Sequence, residues 1–280
     1  MFTSPTMRLL SAPFEPGALA PPRGSARAYG QVAGAGALLA AAGLVLEWAG
    51  PAPFAIGHAL ASGAVHGGLL ALGWLLATDA AAGWRRPVVR LGVTLVVASI
   101  SSRLHPLGAL AFLLAPGVLL REASREPRLR AVGLCGARPV HALVGLAVGA
   151  FLGAHLLVTA SRTLGYRLQE GGLAAYLSAL AYDAGANVLG AEWVFRGVVF
   201  SALWRRWTFW PAALVTTALS LLRYLLDPAL PHAAEARAGA VFYLGLVGLI
   251  GCALRAWSGS LLPGYLAALA FFAAYRMLAP

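Results

Sequence analysis

The stretch GAEWVFRG, residues 190–197, places a carboxylate at Glu192 and a guanidinium at Arg196 inside an otherwise apolar segment. On a helix these two side chains lie one turn apart on the same face, with the glutamate on the N-terminal side, which is the favourable order for an ion pair. An ionisable residue within a membrane span is costly and marks a functional site by default. The alternative is a buried structural ion pair that fixes the rotation of the helix.

The composition around this stretch indicates an all-α, polytopic transmembrane bundle. Hydrophobic residues make up 60% of the chain and charged residues only 11%, and long apolar runs recur to its end. We expect about eight or nine spans. The formal net charge of +11 comes from arginine alone. These arginines fall in short loops between apolar runs, so they report membrane topology, and we expect membrane lipid as a partner and no nucleic acid.

The distribution of arginines divides the chain into four parts. Residues 1–27 are proline-rich and are predicted to form a disordered cytoplasmic tail. Residues 28–120 hold the N-terminal transmembrane helices, with a break at 101–106 (SSRLHP) that predicts a hairpin of two short spans or one kinked element. Residues 121–138 form a basic loop, cytoplasmic by the positive-inside rule, and residues 139–280 form the core. This arrangement predicts the inner membrane and a cytoplasmic N-terminus.

The core begins with Gly145, Gly149 and Gly153, whose four-residue spacing predicts close approach of a neighbouring helix. The helix that carries Glu192 is predicted to run from about Leu173 to Trp204 and is called the signature helix below. Further spans are predicted over about 211–226, 239–254 and 260–278.

The longer word AEWVFRGVVFSAL, residues 191–203, resembles the EExxxRG signature of the CAAX-protease and bacteriocin-processing (CPBP) family. The members are polytopic glutamic intramembrane proteases and include prenyl-protein endopeptidases. The match covers Glu192, Arg196 and Gly197. It fails at Ala191, where the family carries the first of two glutamates, the one that activates the hydrolytic water.

The resemblance also implies catalytic residues on two later helices, and this sequence lacks them. Where the family has FxxxH, the best register puts Ser220 at the phenylalanine and Tyr224 at the histidine; a three-residue slip puts Arg223 and Asp227 there. A phenol, with an unperturbed pKa of about 10, does not take up a proton at neutral pH as an imidazole does. On the last helix, Ala268 and Phe272 stand where the family has its second histidine and an Asn or Asp.

Other polar residues offer few replacements. Asp183 and Asn187 lie one turn apart in the angular sector of the signature helix that includes Ala191, so they form a possible polar lining of a cavity. Asp183 is nevertheless about 12 Å along the helix from position 191. Arg223 and Asp227 are interpreted as a second ion pair. The six histidines and two cysteines, Cys135 and Cys252, show no metal-ligand spacing, so we predict no metal and no cofactor.

Three functions remain open at this stage. The first is a catalytically inactive family relative that binds membrane-anchored protein segments or partners an active protease paralogue. The second is a divergent active protease that processes C-terminal anchors of exported proteins, with Glu192 as base and Tyr224, Asp183 or a histidine from another segment as its partner. The third is a small-molecule transporter, for which the hairpin over 88–120 is the only suggestion.

Overall fold

A computed structural model describes residues 26–48, 51–79, 83–126, 128–163, 165–168, 172–225 and 234–279. The predicted all-α fold is confirmed, because almost every described residue lies in a helix. In chain order the α-helices are α1 (Ala26–Glu47), α2 (Pro51–Thr78), α3 (Arg85–Leu104), α4 (Leu114–Ala123), α5 (Arg128–Ala131), α6 (Pro139–Thr163), α7 (Leu173–Tyr182), α8 (Val188–Ala191), α9 (Phe200–Trp204), α10 (Phe209–Leu225), α11 (Ala234–Ser258) and α12 (Leu262–Tyr275). Of the predicted tail, residues 1–25 lie outside the described residues.

The chain divides into two compact units. The N-terminal unit is drawn from Leu19–Ala131 and Gly171–Gly190, and the core unit from Val132–Glu170 and Ala191–Pro280. The signature helix therefore contributes its first part to one unit and its second part to the other. Within the N-terminal unit, α2 packs along both α1 and α3.

The predicted break in the N-terminal unit lies at His105 and Pro106. His105 adopts an extended backbone, as expected for a residue that precedes proline, and its ring accepts a hydrogen bond from the amide of Leu107 at 3.1 Å. A 3₁₀ segment, Pro106–Leu113, follows and leads into the short α4. The second half of the predicted hairpin is thus a 3₁₀ turn and a ten-residue helix.

The signature helix is helical without interruption from Leu173 to Trp204, as predicted, but it is not a regular α-helix. Two π-helical segments, Asp183–Asn187 and Glu192–Val199, alternate with α7, α8 and α9. Such i→i+5 segments are rare and are frequent at functional sites. Hydrophobic periodicity gave no sign of them, because a side-chain pattern does not reveal a change in backbone hydrogen bonding.

In the core unit, α6 and α12 approach each other at backbone distance. A β-carbon at Gly149 would overlap the carbonyl oxygen of Ala267, and one at Gly145 would overlap that of Pro263. A β-carbon at Gly153 would lie only 2.6 Å from the methyl group of Ala274. The predicted packing role of these three glycines is confirmed, with α12 as the partner.

The ends of α6 and α12 are joined by a short extended pair. Arg167–Leu168 (β1) pairs antiparallel with Leu278–Ala279 (β2), with Arg167 opposite Ala279. The last span, predicted to reach Leu278, therefore ends earlier, at Tyr275, because the chain leaves the helix to pair with the link after α6.

Five described helices are long and apolar enough to cross a membrane. They are α1, α3 and α6 over their full lengths, α2 from Phe54 and α11 from Arg237. Two further apolar helices, α10 and α12, are shorter. These lengths agree with a multi-pass membrane protein.

The close approach of α6 and α12 predicts a position-specific effect of one added methyl group. Gly149→Ala should lower the free energy of unfolding by about 1–3 kcal/mol, because the methyl group meets rigid backbone and the helices must separate. Gly34→Ala on α1 has open space at its β-carbon and should be neutral or gain up to about 1 kcal/mol from helix propensity. Thermal unfolding in detergent measures both. Equal melting temperatures for the two variants would contradict the packing.

Candidate functional site

The predicted ion pair between Glu192 and Arg196 is present in the core unit. Arg196 Nε lies 3.4 Å from Glu192 Oε1, and both side chains are only 3% exposed. The pair occupies the first and fifth positions of the second π-helical segment. Two buried opposite charges at this distance largely neutralise each other, which makes their burial tolerable.

Arg196 also ties the signature helix to α10. Its Nη1 donates a 2.9 Å hydrogen bond to the hydroxyl of Ser220 and a weaker one, at 3.5 Å, to the carbonyl of Ala191. Ser220 is itself buried. The guanidinium thus fixes the position of the signature helix against α10 as well as its own glutamate partner.

The second carboxylate oxygen of Glu192 faces glycine backbone. Among the described residues, Oε2 has no hydrogen-bond partner. A β-carbon at Gly264 on α12 would lie 2.9 Å from this oxygen, and one at Gly251 on α11 would lie 3.5 Å away. The carboxylate is therefore enclosed by the surfaces of two helices that lack side chains at the point of contact.

A third glycine makes room for the guanidinium. At Gly248 on α11, a β-carbon would lie 2.8 Å from the methyl group of Thr217 and 3.0 Å from Arg196 Nη2. Our sequence interpretation missed this arrangement, although the three-residue spacing of Gly245, Gly248 and Gly251 is a visible signal of a helix face without side chains.

The positions that the family resemblance assigns to catalytic groups hold apolar or aromatic side chains. Tyr224 stacks on Phe272, with ring centroids 6.0 Å apart and an interplanar angle of 29°. Ala191 and Ala268 are both buried. The guanidinium carbon of Arg223 lies 4.9 Å from the centroid of the Tyr224 ring. The structure thus brings Tyr224 and Phe272 together from two helices.

No imidazole among the described residues of the core unit hydrogen-bonds to Glu192. The ring of His155 instead shares a 2.7 Å hydrogen bond with the hydroxyl of Tyr243. His141 packs against Trp257, with centroids 4.3 Å apart. His232 lies outside the described residues. In the part of this unit that the structure describes, Glu192 therefore has no imidazole partner of the kind the family uses.

The polar pair Asp183 and Asn187 is buried in the N-terminal unit. Asn187 Nδ2 donates a 2.9 Å hydrogen bond to Asp183 Oδ1, and the two residues bound the first π-helical segment. The preceding residue, Tyr182, shares a 3.0 Å hydrogen bond with His66 Nε2. Glu192 and Arg196 belong to the core unit. Asp227, the predicted partner of Arg223, lies outside the described residues.

Metal ligands do not converge in the part of the chain that the structure describes. It contains no group of three or more His, Cys, Asp or Glu side chains able to hold a metal ion. Cys135 is exposed and Cys252 is buried, and both thiols are free.

The comparison with protein families gives a match in the second half of the chain. Residues 173–272 match a family described as type II CAAX prenyl endopeptidase Rce1-like. The matched segment begins with the signature helix and ends at Phe272, and it covers a little over a third of the chain. The CPBP resemblance inferred from the sequence is confirmed: over this segment the chain is similar to the CAAX prenyl endopeptidases. No curated protein and no solved structure matches the chain significantly.

The ion pair predicts an asymmetric response to substitution. Arg196→Met leaves the Glu192 carboxylate buried without a cation and should lower the free energy of unfolding by about 3–5 kcal/mol. The double variant Glu192→Gln and Arg196→Met removes both charges and should recover most of that loss. Denaturant unfolding in mixed micelles measures the free energy of unfolding of both variants. A double variant no more stable than Arg196→Met would show that the charges are not coupled.

The glycine surface of α11 supplies a matched pair of variants. Gly248→Ala should destabilise the protein by about 1–3 kcal/mol, because its methyl group presses on Thr217 and on the held guanidinium. At Gly245, three residues away, the nearest atom to a β-carbon is a Leu221 methyl at 3.8 Å, so Gly245→Ala should be tolerated. Melting temperatures in one detergent measure the difference, and equal losses at the two sites would refute the contact.

Proposed function

We propose that this protein is a non-proteolytic relative of the CPBP endopeptidases that binds membrane-anchored segments of other proteins or partners an active protease paralogue. The observation that carries the proposal is the Tyr224–Phe272 stack. By the family register, these two rings occupy the places of the histidine on α10 and of the Asn or Asp on α12.

The chemistry of glutamic proteolysis explains why the stack matters. Peptide hydrolysis by this route needs a carboxylate base, an imidazole to share the proton and donors for the oxyanion. Ala191 and Ala268 offer no polar atom, and the phenyl ring of Phe272 offers no donor. Glu192 is engaged by Arg196 in a buried ion pair, with Arg196 Nε 3.4 Å from Glu192 Oε1. The loss of all these groups together leaves no step of the reaction supported.

Binding of a membrane-anchored segment remains compatible with this arrangement. The family match includes α10, α11 and α12, the helices that surround the pair. The name of the matched family, type II CAAX prenyl endopeptidase, indicates cleavage of prenylated CAAX sequences. We propose that this chain keeps the capacity to hold an apolar tail in the same part of the fold, without cutting it.

A divergent active protease is the second candidate, and one observation favours it. The Oε2 atom of Glu192 has no hydrogen-bond partner among the described residues, and the 3.4 Å ion-pair distance to Arg196 involves the other oxygen, Oε1. A water molecule bound there would be next to a potential base. The absence of an imidazole partner in the described core unit argues against turnover by the family route.

The proposal places the protein in the inner membrane with eight or nine spans and a cytoplasmic N-terminus. The five long apolar helices support a multi-pass protein. The arginines at the start of α3 and at the end of α4 support a cytoplasmic position for these two helix ends. Tagging of the N-terminus and of the 121–138 loop, followed by protease accessibility in intact spheroplasts, tests this topology.

The central test is a proteolysis assay with the purified full-length protein in liposomes. The substrate is a farnesylated peptide ending in a CAAX sequence, and the variants are Glu192→Gln and the fourfold Ala191→Glu, Tyr224→His, Ala268→His, Phe272→Asn. We expect no cleavage by the wild type and detectable cleavage by the fourfold variant, because it restores the first glutamate, both histidines and the asparagine of the family's catalytic set. Wild-type cleavage that Glu192→Gln abolishes would establish the protease instead.

The proposed binding of an apolar tail requires a separate measurement. A photo-crosslinking residue at position 224 should capture an added farnesylated peptide intact in the wild type. Farnesylated and unmodified peptides of the same sequence serve as matched probes. Equal capture of the two, or none of either, would refute a site for apolar tails.

A further inference from the structure

One end of the N-terminal unit carries a concentration of arginines. The end of α2, the start of α3, the end of α4 and α5 meet here, since Arg128 Nη1 donates to the carbonyl of Thr78 at 3.1 Å and Arg90 pairs with Glu122. The described residues at this end include seven arginines against three acidic residues, Asp79, Glu122 and Glu126. The arginines are Arg85, Arg86, Arg90, Arg121, Arg125, Arg128 and Arg130.

A cleft of about 410 Å³ opens at this end between α3 and α4. Its walls combine apolar and charged side chains with one hydroxyl residue, Thr94. Val89, Val93 and Val118 form an apolar part, and Arg90, Arg121 and Glu122 form a charged part.

The charges in the cleft do not balance. Glu122, whose side chain is 6% exposed, contacts Arg90 and lies 3.5 Å from Arg125, so one carboxylate serves two guanidiniums. Arg121 is exposed, and within the described residues it makes no ion pair. The protein therefore presents an excess of positive charge where α4 ends, beside a surface that is otherwise apolar.

The apolar part continues away from the charged part along α3. Val89, Val93 and Val97 follow one another at four-residue spacing, and they are 59%, 56% and 52% exposed. Eight residues of helix span about 12 Å, so the valines form an apolar row that begins at the arginines and runs toward the middle of the span. A continuous row of exposed valines on a membrane helix faces hydrocarbon.

We propose that this cleft binds one anionic phospholipid, with its phosphate between Arg90 and Arg121 and an acyl chain along Val89, Val93 and Val97. Charge complementarity selects an anion, since basic pockets between membrane helices bind acidic headgroups. The valine row selects a lipid, because a soluble phosphate or polyanion would use the arginines alone. The site lies entirely within the N-terminal unit and does not depend on the proposed function of the core unit.

The test uses the purified full-length protein in a zwitterionic detergent, with lipid binding measured by native mass spectrometry. Phosphatidylglycerol should bind more tightly than phosphatidylcholine with the same acyl chains. Arg121→Gln should weaken phosphatidylglycerol binding about fivefold, and Arg90→Gln with Arg121→Gln about 25-fold, since each basic side chain contributes about 1 kcal/mol near an anionic surface. Val93→Phe puts a bulkier side chain into the valine row. It should weaken the binding of both lipids without changing the ratio of their affinities.

The matched control is Arg103→Gln, at the opposite end of the same helix, which should leave binding unchanged. Glycerol phosphate and inorganic phosphate separate the headgroup from the whole lipid, and neither should displace phosphatidylglycerol at equal concentration. The proposal is overturned if the two lipids bind equally, if Arg103→Gln has the same effect as Arg121→Gln, or if inorganic phosphate displaces the lipid. Should Arg121→Gln fail to fold, the comparison of the two lipids on wild-type protein decides the question.

Discussion

The buried pair of Glu192 and Arg196 is the constraint on which the core unit depends. Taking one charge out of water costs several kcal/mol, so each partner is tolerable only while the other stays within a few ångströms. Arg196 extends the constraint by donating to Ser220, which holds α10 against the signature helix. Glu192 extends it in another direction, because its free oxygen requires the bare surfaces at Gly251 and Gly264. One pair therefore fixes the relation of four helices.

The glycines of α11 and those of α6 have different roles in helix packing. Gly248 and Gly251 leave space for charged side chains, whereas Gly145 and Gly149 let the backbone of α12 come into direct contact with α6. Between membrane helices the driving force is dispersion and hydrogen bonding, since lipid tails are as apolar as leucine side chains. Close approach at small residues thus supplies the packing that positions α12, and α12 in turn supplies Gly264 to the pair.

Much of this arrangement could be predicted from the sequence. The signature helix, the ion pair and the packing face of α6 each follow from a spacing of residues that the helix repeat converts into a shared face. The family resemblance, carried by the word around Glu192, was sufficient to register Tyr224 and Phe272 on separate helices, and the structure shows these two rings in contact.

Other features could not be predicted, and the reasons are physical. The two π-helical segments depend on backbone hydrogen bonding, which side-chain periodicity does not report. The hydrogen bond from Arg196 to Ser220 depends on the rotation of α10, which its weakly amphipathic sequence leaves open. The early end of α12 depends on pairing between Leu278–Ala279 and Arg167–Leu168, and a two-residue strand has no pattern to recognise. The span count likewise depends on how short helices such as α10 and α12 are placed in the bilayer.

In the function that we propose, the ion pair and the family's catalytic positions have different energetic roles. A general base, an imidazole and oxyanion donors stabilise a transition state and contribute little to the ground-state fold, so apolar groups can replace them without cost to folding and can even improve packing. In the proposed function the Tyr224–Phe272 stack is such a replacement, because two stacked rings contribute packing energy at positions where the family has polar groups. Loss of either member of the ion pair, by contrast, leaves the other charge buried in an apolar environment without its partner. A non-proteolytic relative, as we propose for this protein, is therefore expected to keep Glu192 and Arg196 together while the remaining positions hold apolar or aromatic side chains, as Ala191, Tyr224, Ala268 and Phe272 do.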